Sequence, residues 1–220
     1  MRHFQLIGFI AIIVLAVATG LFLARQDFSR FFPRPQGNPS TYRPASGTPN
    51  AIVYVLTPGA EPGEISGMIT AWKPLAEKFN VVVVVPPTWT QDNILSDIVQ
   101  LRRDYQITRV FISGFSNGGY NACRFGLNNP EMVSGIIALG AFCDPLDAGN
   151  LKKPTPMPIL VVAGEQDTWA RGVDLNQIQA ANERLQPYGI TPEVVIVPGI
   201  GHSFPSAALD TIGQWMQRQK

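Results

Sequence analysis

The sequence is poor in charge, in cysteine and in histidine. Charged residues make up 15% of its 220 positions and the formal net charge is +1, so it lacks the clustered basic excess that is typical of nucleic-acid-binding proteins. Two cysteines and two histidines are too few for a dedicated zinc site. We therefore expect no nucleic-acid partner and no metal.

The two cysteines, Cys123 and Cys143, form no C-x-x-C pair and no disulfide framework. The favoured interpretation is that both are small, buried, apolar side chains. One disulfide between them is the alternative, which would place the domain in an oxidising compartment.

One long apolar run stands at the amino terminus. Residues 4–24 are almost entirely apolar, and the run is long enough for a helix to cross a bilayer. A positively charged start precedes it, as in an export signal, and Ala16-Val17-Ala18 has the small-x-small form of a cleavage site. Apolar residues continue beyond that site, through Leu21-Phe22-Leu23. We therefore predict an uncleaved, single-pass signal anchor over residues 1–24.

Residues 25–49 contain five prolines among glycine, asparagine and serine. We predict a Pro-rich linker that holds the following domain off the membrane. The same stretch carries four arginines, which by the positive-inside rule favour a cytoplasmic domain. The signal-like start favours export, and we expect the domain to be extracytoplasmic. Deleting residues 1–45 is then expected to leave a soluble, active domain.

A change of pattern at residue 50 marks a folded domain, which we place at residues 50–220. Short runs of Val, Ile and Leu without alternation are typical of strands buried on both faces of a parallel sheet. Amphipathic helical patterns lie between them, and Pro74 is expected to break or restart the first helix. We predict an α/β fold, with a doubly wound, mostly parallel sheet of about six strands flanked by helices. The six runs are 51–56, 81–85, 109–113, 135–139, 159–163 and 193–197.

A serine follows the third run, at the strand end where doubly wound sheets place their functional groups. Residues 114–119 read Gly-Phe-Ser-Asn-Gly-Gly and match G-x-S-x-G, a tight strand-to-helix turn that exposes its serine. Glycine is needed because neighbouring Cβ atoms would collide where strand and helix nearly touch. Helix N–H groups then face the serine oxygen and stabilise negative charge. Ser116 is therefore the candidate nucleophile.

A serine needs a neighbouring base to act as a nucleophile at neutral pH. His202 is the candidate, because the other histidine adjoins the apolar amino-terminal run. Asp167 follows the strand at 159–163 and is expected to orient the imidazole and stabilise its charged form. Glu165 and Asp174 are rival acids. We predict a catalytic triad of Ser116, Asp167 and His202.

Two backbone donors should hold the oxyanion that forms in such a reaction. Asn117 follows the serine and supplies the first N–H. The second is expected from the loop after the first domain strand, where Pro58 has no N–H and Ala60 is preferred to Gly59.

Two tryptophans, Trp89 and Trp169, fall in predicted loops near strand ends. We expect them to line an apolar substrate pocket. Core packing is the alternative for each.

With these residues placed, residues 50–220 resemble the α/β-hydrolase superfamily. The resemblance rests on the elbow at 114–119, the acid turn at 164–167, the Gly-His-Ser-Phe end at 201–204 and their order along the chain. The domain is most similar to small serine esterases of the carboxylesterase/phospholipase and dienelactone-hydrolase-like groups. The resemblance implies an esterase that acts on small-molecule or lipid-like esters.

Three features differ from such relatives. Pro58-Gly59 stands where many have a His-Gly pair, and Ser116 stands where dienelactone hydrolases use cysteine. The short segment at 139–159 leaves no room for a cap domain, which implies an open site.

The predicted function is hydrolysis of a carboxylic ester or thioester through an acyl-serine intermediate, without a cofactor. Acyl transfer and peptide cleavage use the same triad and stay open as alternatives. A catalytically inactive, hydrolase-like binding domain at the membrane is the alternative from another class. A Rossmann-like cofactor-binding domain is disfavoured, because neither G-x-G-x-x-G nor G-x-x-x-x-G-K-[ST] follows any predicted strand.

Overall fold

The computed structural model describes residues 39–59, 61–149, 156–168 and 175–219. The predicted anchor at 1–24 and most of the predicted linker at 25–49 lie outside these residues. In the described part of the chain, no helix is both long enough and apolar enough to cross a bilayer.

A single sheet forms the centre of the domain. Its strands are β1 (Ser40–Tyr42), β2 (Ala51–Leu56), β3 (Val81–Val85), β4 (Val110–Phe115), β5 (Gly135–Leu139), β6 (Ile159–Gly164) and β7 (Glu193–Val197). Their order across the sheet is β1-β3-β2-β4-β5-β6-β7, in which β1 is antiparallel to its neighbour and the other neighbouring strands are parallel. The predicted mostly parallel sheet is confirmed, and four of the six predicted strands have the predicted bounds.

The first strand, β1, lies within the stretch that the sequence assigns to the linker. Ser40 pairs with Val85 across the edge of the sheet. The Tyr42 hydroxyl donates a hydrogen bond to the Glu77 carboxylate, and the Ala45 N–H donates to the same carboxylate at 3.3 Å. Residues 40–42 therefore belong to the folded sheet and not to the predicted linker. A three-residue polar strand at a sheet edge has no apolar run by which the sequence could reveal it.

Helices cover both faces of the sheet, as predicted. Alternate residues of β2 pack into two different cores: Ile52 and Tyr54 into one, Val53 and Val55 into the other. This two-sided burial explains why the strand sequences are continuously apolar. The helices are α1 (Pro62–Phe79), α2 (Gln91–Tyr105), α3 (Asn117–Asn128), α4 (Leu175–Leu185) and α5 (Leu209–Arg218).

The predicted break at Pro74 does not occur, because α1 continues through it to Phe79. Proline removes one helical hydrogen bond and crowds the preceding turn. Trp72, Leu75 and Ala76 are buried against the sheet around Pro74. Packing thus holds the helix on both sides of the proline, whose own side chain is exposed.

The favoured interpretation of the cysteines as unpaired is wrong, because Cys123 and Cys143 form a disulfide. Cys123 lies on α3, and Cys143 lies in the loop after β5. Helix α3 packs beside β5, which brings the two residues together across a sequence separation of 20. Both side chains are also buried, as expected from their size.

Candidate active site

Ser116 stands at the turn between β4 and α3, in a backbone conformation that L-residues rarely adopt. Its φ is 55° and its ψ is −121°, a strain that costs about 1–3 kcal/mol and that concentrates at functional sites. The Ser116 N–H donates to the carbonyl of Leu139 on β5 at 2.8 Å. The turn is therefore held in place by the neighbouring strand.

Two glycines allow the sharp turn at Ser116. A Cβ on Gly114 would lie 2.3 Å from the carbonyl carbon of Gly118, and a Cβ on Gly118 would lie 2.1 Å from the carbonyl oxygen of Leu56. These neighbours are backbone atoms, which cannot move aside as a flexible side chain can. The G-x-S-x-G spacing thus follows from the close approach of α3 to β4 and β2.

The three predicted triad residues lie in one hydrogen-bonded line. The His202 Nε2 atom is 2.8 Å from the Ser116 Oγ atom, and the His202 Nδ1 atom is 2.9 Å from Oδ2 of Asp167. The line is satisfied when Nδ1–H donates to the carboxylate and Nε2 accepts the serine O–H. The Asp167 side chain is 1% exposed and the His202 side chain 17%, so the imidazole is shielded but reachable from solvent.

The turn after β6 carries both of the candidate acids that the structure describes, and the two have different hydrogen-bond partners. Asp167 contacts His202, whereas Glu165 accepts the Gly199 N–H at 3.0 Å. The Gln166 N–H also donates to the Ile200 carbonyl at 2.9 Å. Glu165 and Gln166 therefore brace the loop that carries His202. The third candidate, Asp174, lies outside the described residues.

An aromatic ring supports the imidazole from one side. The Phe115 ring centroid lies 4.9 Å from that of His202, with the two planes tilted by 34°. Phe115 directly precedes Ser116, so the residue that ends β4 also limits the movement of the imidazole.

The predicted oxyanion donors have three different outcomes. The Asn117 N–H opens α3, and the first N–H groups of a helix have no partner within it. The Gly59 N–H is already engaged, because it donates to Oε2 of Glu64 at 2.9 Å. Ala60 lies outside the described residues.

The Asn117 side chain joins the start of α3 to the loop after β2. Its amide donates to the Pro58 carbonyl at 3.1 Å, while the Asn121 amide donates back to the Asn117 carbonyl at 2.8 Å. These contacts and the bond from Gly59 to Glu64 are absent from the sequence-based predictions. The side chains of Asn117 and Asn121, four residues apart on a helix, are a detectable signal that they share one face.

The sequence model of the phospholipase/carboxylesterase family matches residues 90–219, which is more than half of the chain. The chain belongs to the phospholipase/carboxylesterase family. The matched range includes the whole hydrogen-bonded line from Ser116 to Asp167, and the family supports an esterase-type α/β-hydrolase.

Solved structures of esterases share the fold of this family member. Esterase PE8 has a TM-score of 0.65 at 19% identity, covering 83% of this chain and 98% of its own. SOBER1 from Arabidopsis thaliana has a TM-score of 0.60 at 20% identity, covering 77% and 98%. Est1E from Butyrivibrio proteoclasticus, solved with ferulic acid bound, has a TM-score of 0.58 at 14% identity, covering 83% and 94%. A search of the curated proteins finds no match.

Aromatic side chains lie on or beside α3 of this phospholipase/carboxylesterase-family chain. Trp89 lines a cavity beside α3, whereas Trp169 lies outside the described residues. Tyr120, one helical turn after Ser116, packs edge-to-face on Phe142 with ring centroids 5.4 Å apart. Tyr120 is not among the predicted site residues, although its spacing of four from Ser116 could have indicated that both lie on the same side of α3.

The loop that carries Phe142 is fixed at two further points. The disulfide joins Cys143 to α3. The next residue, Asp144, accepts the Leu146 N–H at 3.0 Å and forms a salt bridge with Arg184 on α4. Hydrogen bonding to Asp144 raises the pKa of the Arg184 guanidinium.

Within the described residues, no group of three or more His, Cys, Asp or Glu side chains is placed to hold a metal ion.

Proposed function

We propose that this protein is a serine esterase that cleaves a carboxylic ester or thioester through an acyl-serine intermediate. The observation that carries the proposal is the continuous line from Ser116 through His202 to Asp167, with contacts of 2.8 and 2.9 Å. Membership of the phospholipase/carboxylesterase family supports an ester as the substrate.

In the first half of the reaction, Ser116 is acylated. Its oxygen attacks the ester carbonyl carbon while His202 Nε2 takes the hydroxyl proton. Asp167 stabilises the imidazolium that results, and the Asn117 N–H holds the oxygen that becomes negative. The tetrahedral intermediate then collapses, and the imidazolium returns its proton to the departing alcohol or thiol.

In the second half, water regenerates the serine. His202 Nε2 takes a proton from the water as its oxygen attacks the acyl carbon. Collapse releases the acid and returns the proton to the Ser116 oxygen. If an alcohol took the place of water, the reaction would be acyl transfer. If the leaving group were an amine, the reaction would be peptide cleavage. No specific contact favours either of these two reactions.

The alternative of an inactive binding domain predicts an acid turned away from the histidine. Asp167 instead meets His202 Nδ1, and its side chain is almost completely buried. This arrangement supports catalysis rather than binding alone.

We also propose that the domain is attached to a membrane by residues 1–24, through a shorter linker than the sequence suggests, and lies on the extracytoplasmic side. Support for that side comes from the disulfide between Cys123 and Cys143, because disulfides are rare in reducing compartments.

Covalent labelling with a fluorophosphonate tests the proposed nucleophile. We expect the full-length chain to be labelled, and Ser116→Ala and His202→Ala to lose the label while their circular dichroism is unchanged. Ser96→Ala is the matched control, because this exposed serine lies on α2 and should label like the parent. Labelling of Ser116→Ala at the parent's rate would refute the assignment, and a folded parent without label would favour the binding-domain alternative.

A further inference from the structure

A cavity of about 250 Å³ lies between the start of α2 and the side of α3. It is large enough for one part of a substrate rather than for a whole ligand, since small-molecule pockets usually measure about 300–1,000 Å³. Its lining residues are Trp89, Thr90, Gln91, Ile94, Asn121, Arg124 and Phe125.

The cavity adjoins the catalytic serine through α3. Asn121 lines it and donates to the carbonyl of Asn117 at 2.8 Å, and Asn117 directly follows Ser116. Arg124 lies one turn further along the same helix, about 12 Å from Ser116 by helical rise. Cα–Cβ bonds on a helix tilt toward its amino end, which favours positions of the Arg124 guanidinium on the Ser116 side of its own Cα.

The lining combines an apolar body with one positive charge. Ile94 and Phe125 are buried and form the floor, and the half-buried Trp89 adds an aromatic wall. Arg124 carries the only formal charge among the lining residues. In the part of the chain that the structure describes, no carboxylate pairs with its guanidinium. Asp92 is nearby in sequence on α2, but it is exposed and does not line the cavity.

We propose that this cavity is a specificity subsite for an ester substituent with a flat, apolar body that ends in a carboxylate. The body would lie against Trp89 and Phe125, and the carboxylate would meet the guanidinium of Arg124. Guanidinium suits this task because its fork of N–H groups matches a carboxylate through two parallel hydrogen bonds. The proposal rests on the proposed esterase function and names its substrate class.

Matched pairs of synthetic esters test the subsite on the full-length chain. One pair varies the acyl side: para-nitrophenyl esters of para-carboxyphenylpropanoic acid and of para-methylphenylpropanoic acid. The other varies the alcohol side: acetate esters of para-hydroxyphenylpropanoic acid and of para-propylphenol. In each pair the members differ mainly in the terminal charge, about 8 Å or less from the ester by standard bond lengths.

We expect kcat/KM to favour the charged member of at least one pair by about fivefold, the size of a partly exposed ion pair. The preference should appear mainly in KM and shrink in concentrated salt. Arg124→Gln should bring the ratio within the pair to about one, and Arg124→Glu should reverse it. Arg103→Gln is the control, because this exposed arginine on α2 does not line the cavity, and it should keep the parent's ratio.

The outcomes separate this subsite from the catalytic function itself. Hydrolysis of the neutral esters without a charge preference would overturn the subsite and leave the esterase function standing. A preference for the charged ester that survives in Arg124→Glu would also overturn the subsite, because another residue would then bind the carboxylate. A folded parent that cleaves none of the four esters would count against the proposed function.

Discussion

Glu165 and Asp167 are separated by one residue at the end of β6, and their surroundings give them different roles. Asp167 is almost fully buried and meets the imidazole. Glu165 is exposed and accepts a backbone N–H from Gly199. A buried carboxylate can fix the tautomer of a histidine, whereas an exposed one mainly steadies a loop.

This difference predicts unequal effects of two conservative substitutions. Asp167→Asn should lower kcat by about 10⁴-fold, because the amide favours the wrong imidazole tautomer. Glu165→Gln should lower it by less than about tenfold, because the amide oxygen still accepts the Gly199 N–H. Initial rates on a para-nitrophenyl ester, with circular dichroism as a folding control, measure both. Equal losses in the two variants would remove Asp167 from its assigned role.

At the scale of residues, the sequence identifies the catalytic candidates because few residues of the required types are present. A G-x-S-x-G turn and a single histidine in the folded domain leave few choices for nucleophile and base. The bond from the Gly59 N–H to Glu64 could not be predicted in this way. It depends on how a loop and the first turn of α1 approach each other, and many pairs of polar residues are compatible with such a contact.

Helix α3 is the element on which most of the site depends. It begins directly after Ser116, approaches the backbone of β2 through Gly118 and is joined by Cys123 to the loop after β5. Its position is therefore set by close contact on one side and by a covalent bond on the other.

Substitution of two glycines should have opposite effects on stability. Gly118→Ala places a Cβ 2.1 Å from the Leu56 carbonyl oxygen and should lower the free energy of unfolding by at least about 3 kcal/mol. Gly67→Ala on α1 meets nothing within 4 Å and should raise it by about 1 kcal/mol. Urea denaturation followed by circular dichroism gives both values. A Gly118→Ala variant as stable as the parent would contradict the close approach of α3 to β2.

Loss of the disulfide should destabilise the domain without changing its fold. The double variant Cys123→Ala, Cys143→Ala should lose about 3 kcal/mol of unfolding free energy, as expected for a bridged loop of about 20 residues. Reduction of the parent should bring it to a similar stability. Denaturation with and without reductant measures this, together with the mass of the alkylated protein. If reductant left the parent's denaturation curve unchanged, the bridge would not be stabilising.

At the scale of elements, the sequence predicts the buried strands well, but it misses the edge strand β1 and the continuity of α1 through Pro74. Strands with both faces buried must be apolar throughout, so four of them have the predicted bounds. The break expected at Pro74 is absent because burial of its neighbours overrides the local preference of proline. Strand β1 is missed because its three residues are held by pairing with β3 and by Glu77 rather than by their own hydrophobicity.

For the whole molecule, β1 changes where the folded domain should be cut. A chain of residues 39–220 should be soluble and should keep the parent's melting temperature. A chain of residues 46–220 should melt about 5 °C lower or aggregate, because the apolar edge of β3 (Val81–Val85) loses its partner. Differential scanning calorimetry and light scattering compare the two.

Truncation at residue 39 also tests the proposed anchor. In cells, the full-length chain should sediment with membranes, and residues 39–220 should remain in the supernatant. A truncated chain that still sedimented with membranes would show that attachment does not depend on residues 1–24.

The bridge between Cys123 and Cys143 also turns the intervening chain into a closed ring. That ring includes the second half of α3 and the whole of β5. A single cut by a protease between these two cysteines would therefore leave one connected molecule, which separates into two fragments only under reducing conditions. A cut in any other segment would leave two pieces with no covalent link in both conditions, so the effect of reductant on the fragments would show whether the cut lies inside or outside the ring.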